Sequence, residues 1–268
     1  MSEQRERLRA TFTEAAELYD RARPGYPAQL FDDLADLAGI GPGSRVLEIG
    51  PGTGQATVPL AARGCQVVAV ELGADLAEVT RRKLADFPEA KVVHAAFEDW
   101  PLPVEPFDLV LSATAFHWID PRVRVAKSAN ALRSGGHLAT VATHHIAGGS
   151  AAFFAEVQDC YERFDPATPP GLRQQTAPEI PADPEDLPGF APPQFHRYEW
   201  EQPYSTAQYL DLLLTYSNHR ALPDAARTGL LACIANLIDT RHGGHLTKRY
   251  LTELRLAARS ALCSGGST

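Results

Sequence analysis

Two hydrophobic rhythms alternate along the first 145 residues. Short apolar runs occupy Arg45–Ile49, Gln66–Val70, Lys91–His94, Phe107–Ala113 and His137–Ala142. Runs this short, closed by glycine or a charge, predict five buried strands. Between them the apolar positions recur at helical spacing, predicting helices over roughly Gln55–Arg63, Ala74–Ala85 and Asp120–Leu132. The last has Asp120 as N-cap and Pro121 as first helical residue. Pro59 falls near the first turn of its helix, where proline is best tolerated. Ahead of the strands, Thr11 and Glu14 predict a capping box, with Phe12, Ala15, Ala16 and Tyr19 on one helical face. The turn Arg23-Pro24-Gly25-Tyr26-Pro27 stops that helix. A second helix follows from Ala28 to Ala38 and ends at Gly39.

Strands alternating with helices predict an open, doubly wound α/β fold whose parallel sheet has right-handed crossovers. Ligands of such sheets bind outside the carboxyl ends of the strands. Chemistry is therefore expected just after Ile49, Val70, His94, Leu111 and Val141.

Beyond residue 145 the pattern loosens. Residues 165–193 are crowded with proline and predict a loop or lid rather than packed structure. An alternating strand is expected over Phe195–Tyr204. Ser205 and Gln208 form a second capping-box signal, opening a helix through about Tyr216. A helix over Ala225–Asp239 stops at Gly243-Gly244, and His245–Leu256 is expected to mix strand and helix.

The chain's 268 residues can bury one large core, and 44% of them are hydrophobic. The net charge of −8 argues against a nucleic-acid partner, because phosphate binding draws on basic patches. No membrane is expected, since no run of about 18 apolar residues occurs. The N-terminus has no apolar signal segment, and the expected location is cytoplasmic. Cys65, Cys160, Cys233 and Cys263 lie far apart, with no metal-ligand spacing. Free thiols in a reducing compartment and no bound metal are expected.

The chemistry centres on Glu48-Ile49-Gly50-Pro51-Gly52-Thr53-Gly54. Gly50, Gly52 and Gly54 allow a sharp turn and close backbone approach to a ligand. A dinucleotide fingerprint needs its third glycine where Gln55 stands, and a P-loop needs a Gly-Lys-Ser/Thr ending; neither condition is met. A carboxylate at Glu48 repels a pyrophosphate and suits an ammonium or sulfonium. Glu71 ends the second strand about 20 residues beyond the loop, with Leu72 next, where an acid accepts hydrogen bonds from ribose hydroxyls. That position is shared with NAD enzymes and does not choose the cofactor.

Val46 to Gly54 resembles the first motif of class I S-adenosylmethionine-dependent methyltransferases. Leu132-Arg133-Ser134-Gly135-Gly136-His137-Leu138 resembles the turn before their fifth strand, with Ser134 where proline is usual. Tyr19 with Arg23 to Pro27, and Ala115-Phe116-His117-Trp118, resemble the methyltransferase type 11 branch that includes trans-aconitate methyltransferase-like enzymes. The resemblance implies a mostly parallel, seven-stranded, Rossmann-like sheet and S-adenosylmethionine as cofactor. It further implies N-terminal helices (1–40) closing over a core (41–145), a cap at 146–240 and a strand-and-helix end at 241–268. Tyr19 and Arg23 are then expected to face the cofactor, Ala96, Phe97 and Glu98 to flank its adenine, and Ala113 and Thr114 to lie beside its methionine part.

Methyl transfer draws mainly on alignment, with a general base where the nucleophile must lose a proton. His117, His144 and His145, at strand ends, are candidates; His117, between Phe116 and Trp118, equally suits packing of the site wall, and the His144-His145 pair equally suits a solvent-facing place. The segment Tyr216-Ser217-Asn218-His219-Arg220 is a candidate for the acceptor pocket, Arg220 as partner of a carboxylate, and Trp118, Phe153, Phe154 and Tyr161 suit either an apolar pocket for a ring or core packing. The expected partner is a small molecule and the expected assembly a monomer or homodimer. An NAD-dependent oxidoreductase and a non-catalytic binding module remain as alternatives.

Overall fold

The computed structural model describes residues 16–165, 167–169 and 171–260. The predicted capping box at Thr11 and Glu14, and Cys263, lie outside them. The centre of the fold is a seven-stranded sheet of order β3-β2-β1-β4-β5-β7-β6. Its strands are β1 (Arg45–Ile49), β2 (Gln66–Glu71), β3 (Lys91–His94), β4 (Phe107–Ala113), β5 (Leu132–Ile146), β6 (Gln194–Ser205) and β7 (His245–Ala258). β1 to β5 pair in parallel, and β7 runs antiparallel between β5 and β6. The helices are α1 (Ala16–Ala22), α2 (Ala28–Ala38), α3 (Thr57–Ala62), α4 (Ala74–Lys83), α5 (Arg124–Ala131), α6 (Ala151–Glu156), α7 (Gln158–Phe164), α8 (Thr206–Leu213), α9 (Ser217–Arg220) and α10 (Asp224–Arg241).

Apolar residues cover both faces of the parallel strands, as the continuous hydrophobic runs require. One layer gathers Leu30, Leu34, Leu60, Val67 and Leu109; the other gathers Leu47, Val70, Phe107, Val110 and Leu138. A third cluster, with Phe153, Tyr209, Leu230, Ile234 and Leu246, unites α6, α7, α8 and α10 with the start of β7 into the cap. The capping box at α8 forms as predicted: Ser205 Oγ accepts from Gln208 N at 3.3 Å, and Gln208 Oε1 accepts from Ser205 N at 2.9 Å. Pro59 is the third residue of α3, so its missing N–H is one the helix leaves unpaired anyway.

Four expectations need correction. α5 begins at Arg124 rather than at Asp120, because Asp120 Oδ1 accepts from Arg122 N at 2.9 Å and winds residues 120–123 into a turn. His245–Ala258 is strand throughout, since it pairs on both sides, with β5 and with β6. The proline-rich stretch packs against the sheet. Ala177, Ile180 and Leu187 are buried, Arg197 donates to Ile180 O at 2.9 Å, and Arg255 pairs with Asp183 at 3.1 Å. Finally, Cys160 and Cys233 are not free thiols: they form a disulfide joining α7 to α10, which pack side by side in the cap. Cys65 is free and buried. Among the described residues, no helix is long and apolar enough to cross a membrane.

Candidate active site

The carboxyl ends of β1, β2 and β4 converge on one cavity of about 1120 Å³. β1 delivers Glu48 and the glycine loop. Gly50 has φ +69°, and a Cβ there stands 2.6 Å from Ala115 Cβ, so the loop closes against the end of β4 only with glycine at this position. Gly52 has φ +61°, and a Cβ there would stand in van der Waals contact with the Tyr19 ring at 3.6 Å. β2 delivers Glu71, whose carboxylate accepts from Gly52 N at 3.0 Å and Gly73 N at 2.7 Å. The acid and the loop thus hold each other in place. β4 is followed by Thr114, whose φ of 53° is unusual for a β-branched residue. Thr114 N donates to Val141 O at 2.7 Å, and its hydroxyl lies 3.0 Å from Tyr26 Oη. Backbone strain of this kind, about 1–3 kcal/mol, clusters at working sites.

Glu48 is 1% exposed, lines the cavity, and has one oxygen without a hydrogen-bond partner. Burial, with the Glu71 charge adding to it, pushes its carboxyl from the ordinary 4.5 up to about 7. Such a group is completed by a cation. Leu72, next to the acid, keeps 41% of its surface exposed, and the buried Phe97 lines the same space. The cavity thus offers a buried carboxylate at Glu48, a second carboxylate at Glu71 and apolar surface at Leu72 and Phe97.

The methyltransferase domain family model matches residues 47–140. An uncharacterized methyltransferase of Mycobacterium bovis is 30% identical over 230 residues, covering 86% of both chains. Among solved structures, a putative type II methyltransferase from Anaeromyxobacter dehalogenans superposes with a TM-score of 0.58 at 24% identity, covering 87% of this chain and 97% of that one. Phosphoethanolamine N-methyltransferase 2 of Haemonchus contortus, in complex with phosphomonomethylethanolamine and S-adenosylhomocysteine, gives 0.52 at 17% identity over 96% of this chain and 59% of that one. These two structural likenesses show the fold. The chain belongs to the class I S-adenosylmethionine-dependent methyltransferases. Its cofactor is S-adenosylmethionine.

Most of the residues singled out from the sequence meet in this methyltransferase's cavity. Tyr19, Arg23, Glu48, Gly50, Gly52, Gln55, Glu71, Leu72, Ala96, Phe97, Glu98, Ala113 and Thr114 all line it, as do His117, Trp118 and Tyr216. Four others do not. Thr53 is fully buried and accepts from Gln55 Nε2 at 2.7 Å, and Gly54 packs against Thr80, so both support the loop from behind. Arg220, expected to meet an acceptor carboxylate, lies on α9 outside the lining. His144 is likewise not a lining residue: strand alternation turns it toward the face of Glu253 and Arg197, and Thr143 and His145 reach the cavity instead. His145 packs against Phe154 and Tyr250, with ring centroids at 4.4 and 6.0 Å.

Part of the cap half of the cavity escaped the sequence: Tyr209, Lys248 and Tyr250 line it beside Tyr26, Tyr161, Tyr216 and His219. The signal for Lys248 was present: Leu246, Lys248 and Tyr250 share one strand face, and a lysine amid apolar alternation stands out once the segment is known to be a strand.

Proposed function

We propose that the enzyme transfers the methyl group of S-adenosylmethionine to a small organic acceptor taken up in the cap half of the cavity. The observation that carries this reading is that one space joins the glycine-loop half to an aromatic half under α1, α8 and α9. Its volume suits a cofactor and a small molecule together, pockets for one drug-sized ligand being about 300–1,000 Å³. In this reading Glu48 faces the cationic methionine end, Glu71 the ribose, and Leu72, Ala96, Phe97 and Glu98 the adenine. Arg23, just after α1, offers its guanidinium to the cofactor's carboxylate. Arg23 Nη2 already donates to Thr215 O at 3.0 Å, so ordering α1 ties the lid to the cap.

The bound cofactor supplies a sulfonium-activated methyl carbon open to in-line attack. The chain's part is to hold an acceptor on the far side of that carbon and keep water out, worth up to about 7–11 kcal/mol in favourable cases. His117 lines the cavity, and partial desolvation there, aided by Arg124, holds its imidazole below the usual value. It is therefore neutral near pH 7 and suited to take a proton from an O–H or N–H acceptor. The test is incubation with S-adenosylmethionine labelled at the methyl group and a cell extract, followed by separation of small molecules from protein and nucleic acid. Label in the small-molecule fraction supports the reading. Label confined to macromolecules refutes it.

A further inference from the structure

Lys248 is 3% exposed, yet it lines the cavity. Its Nζ makes one hydrogen bond, to Tyr216 Oη at 3.2 Å, and lies 5.1, 5.4 and 5.8 Å from the ring centroids of Tyr250, Tyr216 and Tyr209. No carboxylate among the described residues pairs with it. A buried ammonium with two spare protons and no counter-ion is costly, and buried charges are ordinarily paired.

Among the surrounding groups Asp165 acts on His219, but it makes no ion pair with Lys248. Just after α1, Arg23 stacks on the Tyr216 ring at 4.4 Å and adds a second cation. From β5, His145 is pushed down to about 3 by burial and by Lys248. From α9, His219 is pushed down to about 4 by burial and Lys248, against an opposing pull from Asp165. Burial holds the Tyr209 and Tyr250 phenols up and neutral. Tyr216 alone is lowered: burial pushes it up, but Lys248 and Arg23 together outweigh that. Glu48 and Glu71 belong to the opposite half. The cap half of the cavity is therefore positive, and its aromatic box already holds the protein's own cation, which disfavours a cationic acceptor.

We infer that Lys248 anchors the acceptor, and that the acceptor carries an oxyanion, a carboxylate or a phosphate, which supplies the missing counter-charge. This rests on the methyl-transfer reading, and it replaces Arg220, which does not reach the cavity, with Lys248 as the anionic anchor. The work is divided: Arg23 serves the cofactor end and Lys248 the acceptor.

The test uses the full chain saturated with S-adenosylhomocysteine and three matched probes: phenylacetate, benzylphosphonate and the neutral phenylacetamide. Binding is read by saturation-transfer NMR titration, and a preference between the two anions identifies carboxylate or phosphate. At least one anion is expected to bind ten times or more tighter than the amide. In Lys248→Met and Lys248→Gln that anion loses at least tenfold, while S-adenosylhomocysteine keeps its Kd within twofold. Both variants are expected to melt at or above the wild-type temperature without anion, because they remove a buried unpaired charge. Equal binding of amide and anions, no anion binding, or anion binding retained in both variants overturns the inference. So does a tenfold loss of S-adenosylhomocysteine affinity in the variants, which assigns Lys248 to the cofactor. A wild-type chain that fails to bind S-adenosylhomocysteine overturns the methyl-transfer reading and this inference with it; cofactor binding without anion selectivity overturns the inference alone.

Discussion

Replacing Glu48 by glutamine separates the cost of a buried acid from its use. In the unfolded chain this carboxyl ionises near its ordinary 4.5, whereas in the fold burial holds it protonated up to about 7. Between those values the folded state binds the extra proton, so stability falls as pH rises. The loss begins above the unfolded value and is complete once pH passes the folded one. At about 1.36 kcal/mol per pH unit, that window removes about 3 kcal/mol from the ligand-free protein. Glu48→Gln keeps the shape and does not titrate. Its stability relative to wild type is therefore expected to grow by about 3 kcal/mol between pH 4.5 and pH 8, measured by urea denaturation at several pH values. The functional side has the opposite sign. A cation beside Glu48 favours its ionised form, so wild-type protein releases a proton on binding S-adenosylmethionine at pH 6.5, and Glu48→Gln does not. Calorimetry in two buffers of different ionisation enthalpy reads that proton. A stability difference that stays flat with pH, together with equal proton release in both proteins, refutes the reasoning.

Glu71→Ala removes a charged acceptor that also fixes the amides of Gly52 and Gly73; S-adenosylhomocysteine binding should weaken by about 1.5–3 kcal/mol, and an unchanged calorimetric Kd contradicts the placement of the ribose. Gly50→Ala puts a Cβ 2.6 Å from Ala115 Cβ at a φ of +69°. It should cost about 1–2 kcal/mol for the backbone and about 1–3 kcal/mol for overpacking, read as a lowered melting temperature; wild-type melting contradicts it. The Cys160–Cys233 disulfide closes a 73-residue separation, worth about 4 kcal/mol in the chain-entropy treatment. Cys160→Ser with Cys233→Ser should unfold at lower urea, and an unmoved midpoint argues against the cross-link.

The parallel half of the fold was legible because its strands are buried on both faces and its turns carry glycine. β3 and β4 lie at the predicted residues, and the Glu48–Gly54 loop and Glu71 point to the cavity through the general rule for strand ends. The antiparallel half was harder to read. In β7, Lys248, Glu253 and Arg255 are buried charges, which blurred the alternation that marks a strand. The proline-rich stretch looked unstructured because it has no periodicity; it is held by long-range hydrogen bonds from Arg197 and Arg255 that no local pattern announces. His144 and Arg220 show the limit at side-chain level. A one-residue change of strand face turns His144 away and brings His145 in. The disulfide depends on α7 and α10 lying together, a tertiary fact invisible in cysteine spacing.

The most direct measurement is calorimetric titration of the full chain with S-adenosylhomocysteine, with NADH as the control ligand. Saturable one-site binding of S-adenosylhomocysteine, weakened by Glu71→Ala and accompanied by no heat from NADH, is the predicted result. Binding of NADH with none of S-adenosylhomocysteine contradicts the assignment of Glu48, the glycine loop and Glu71 to a sulfonium nucleoside.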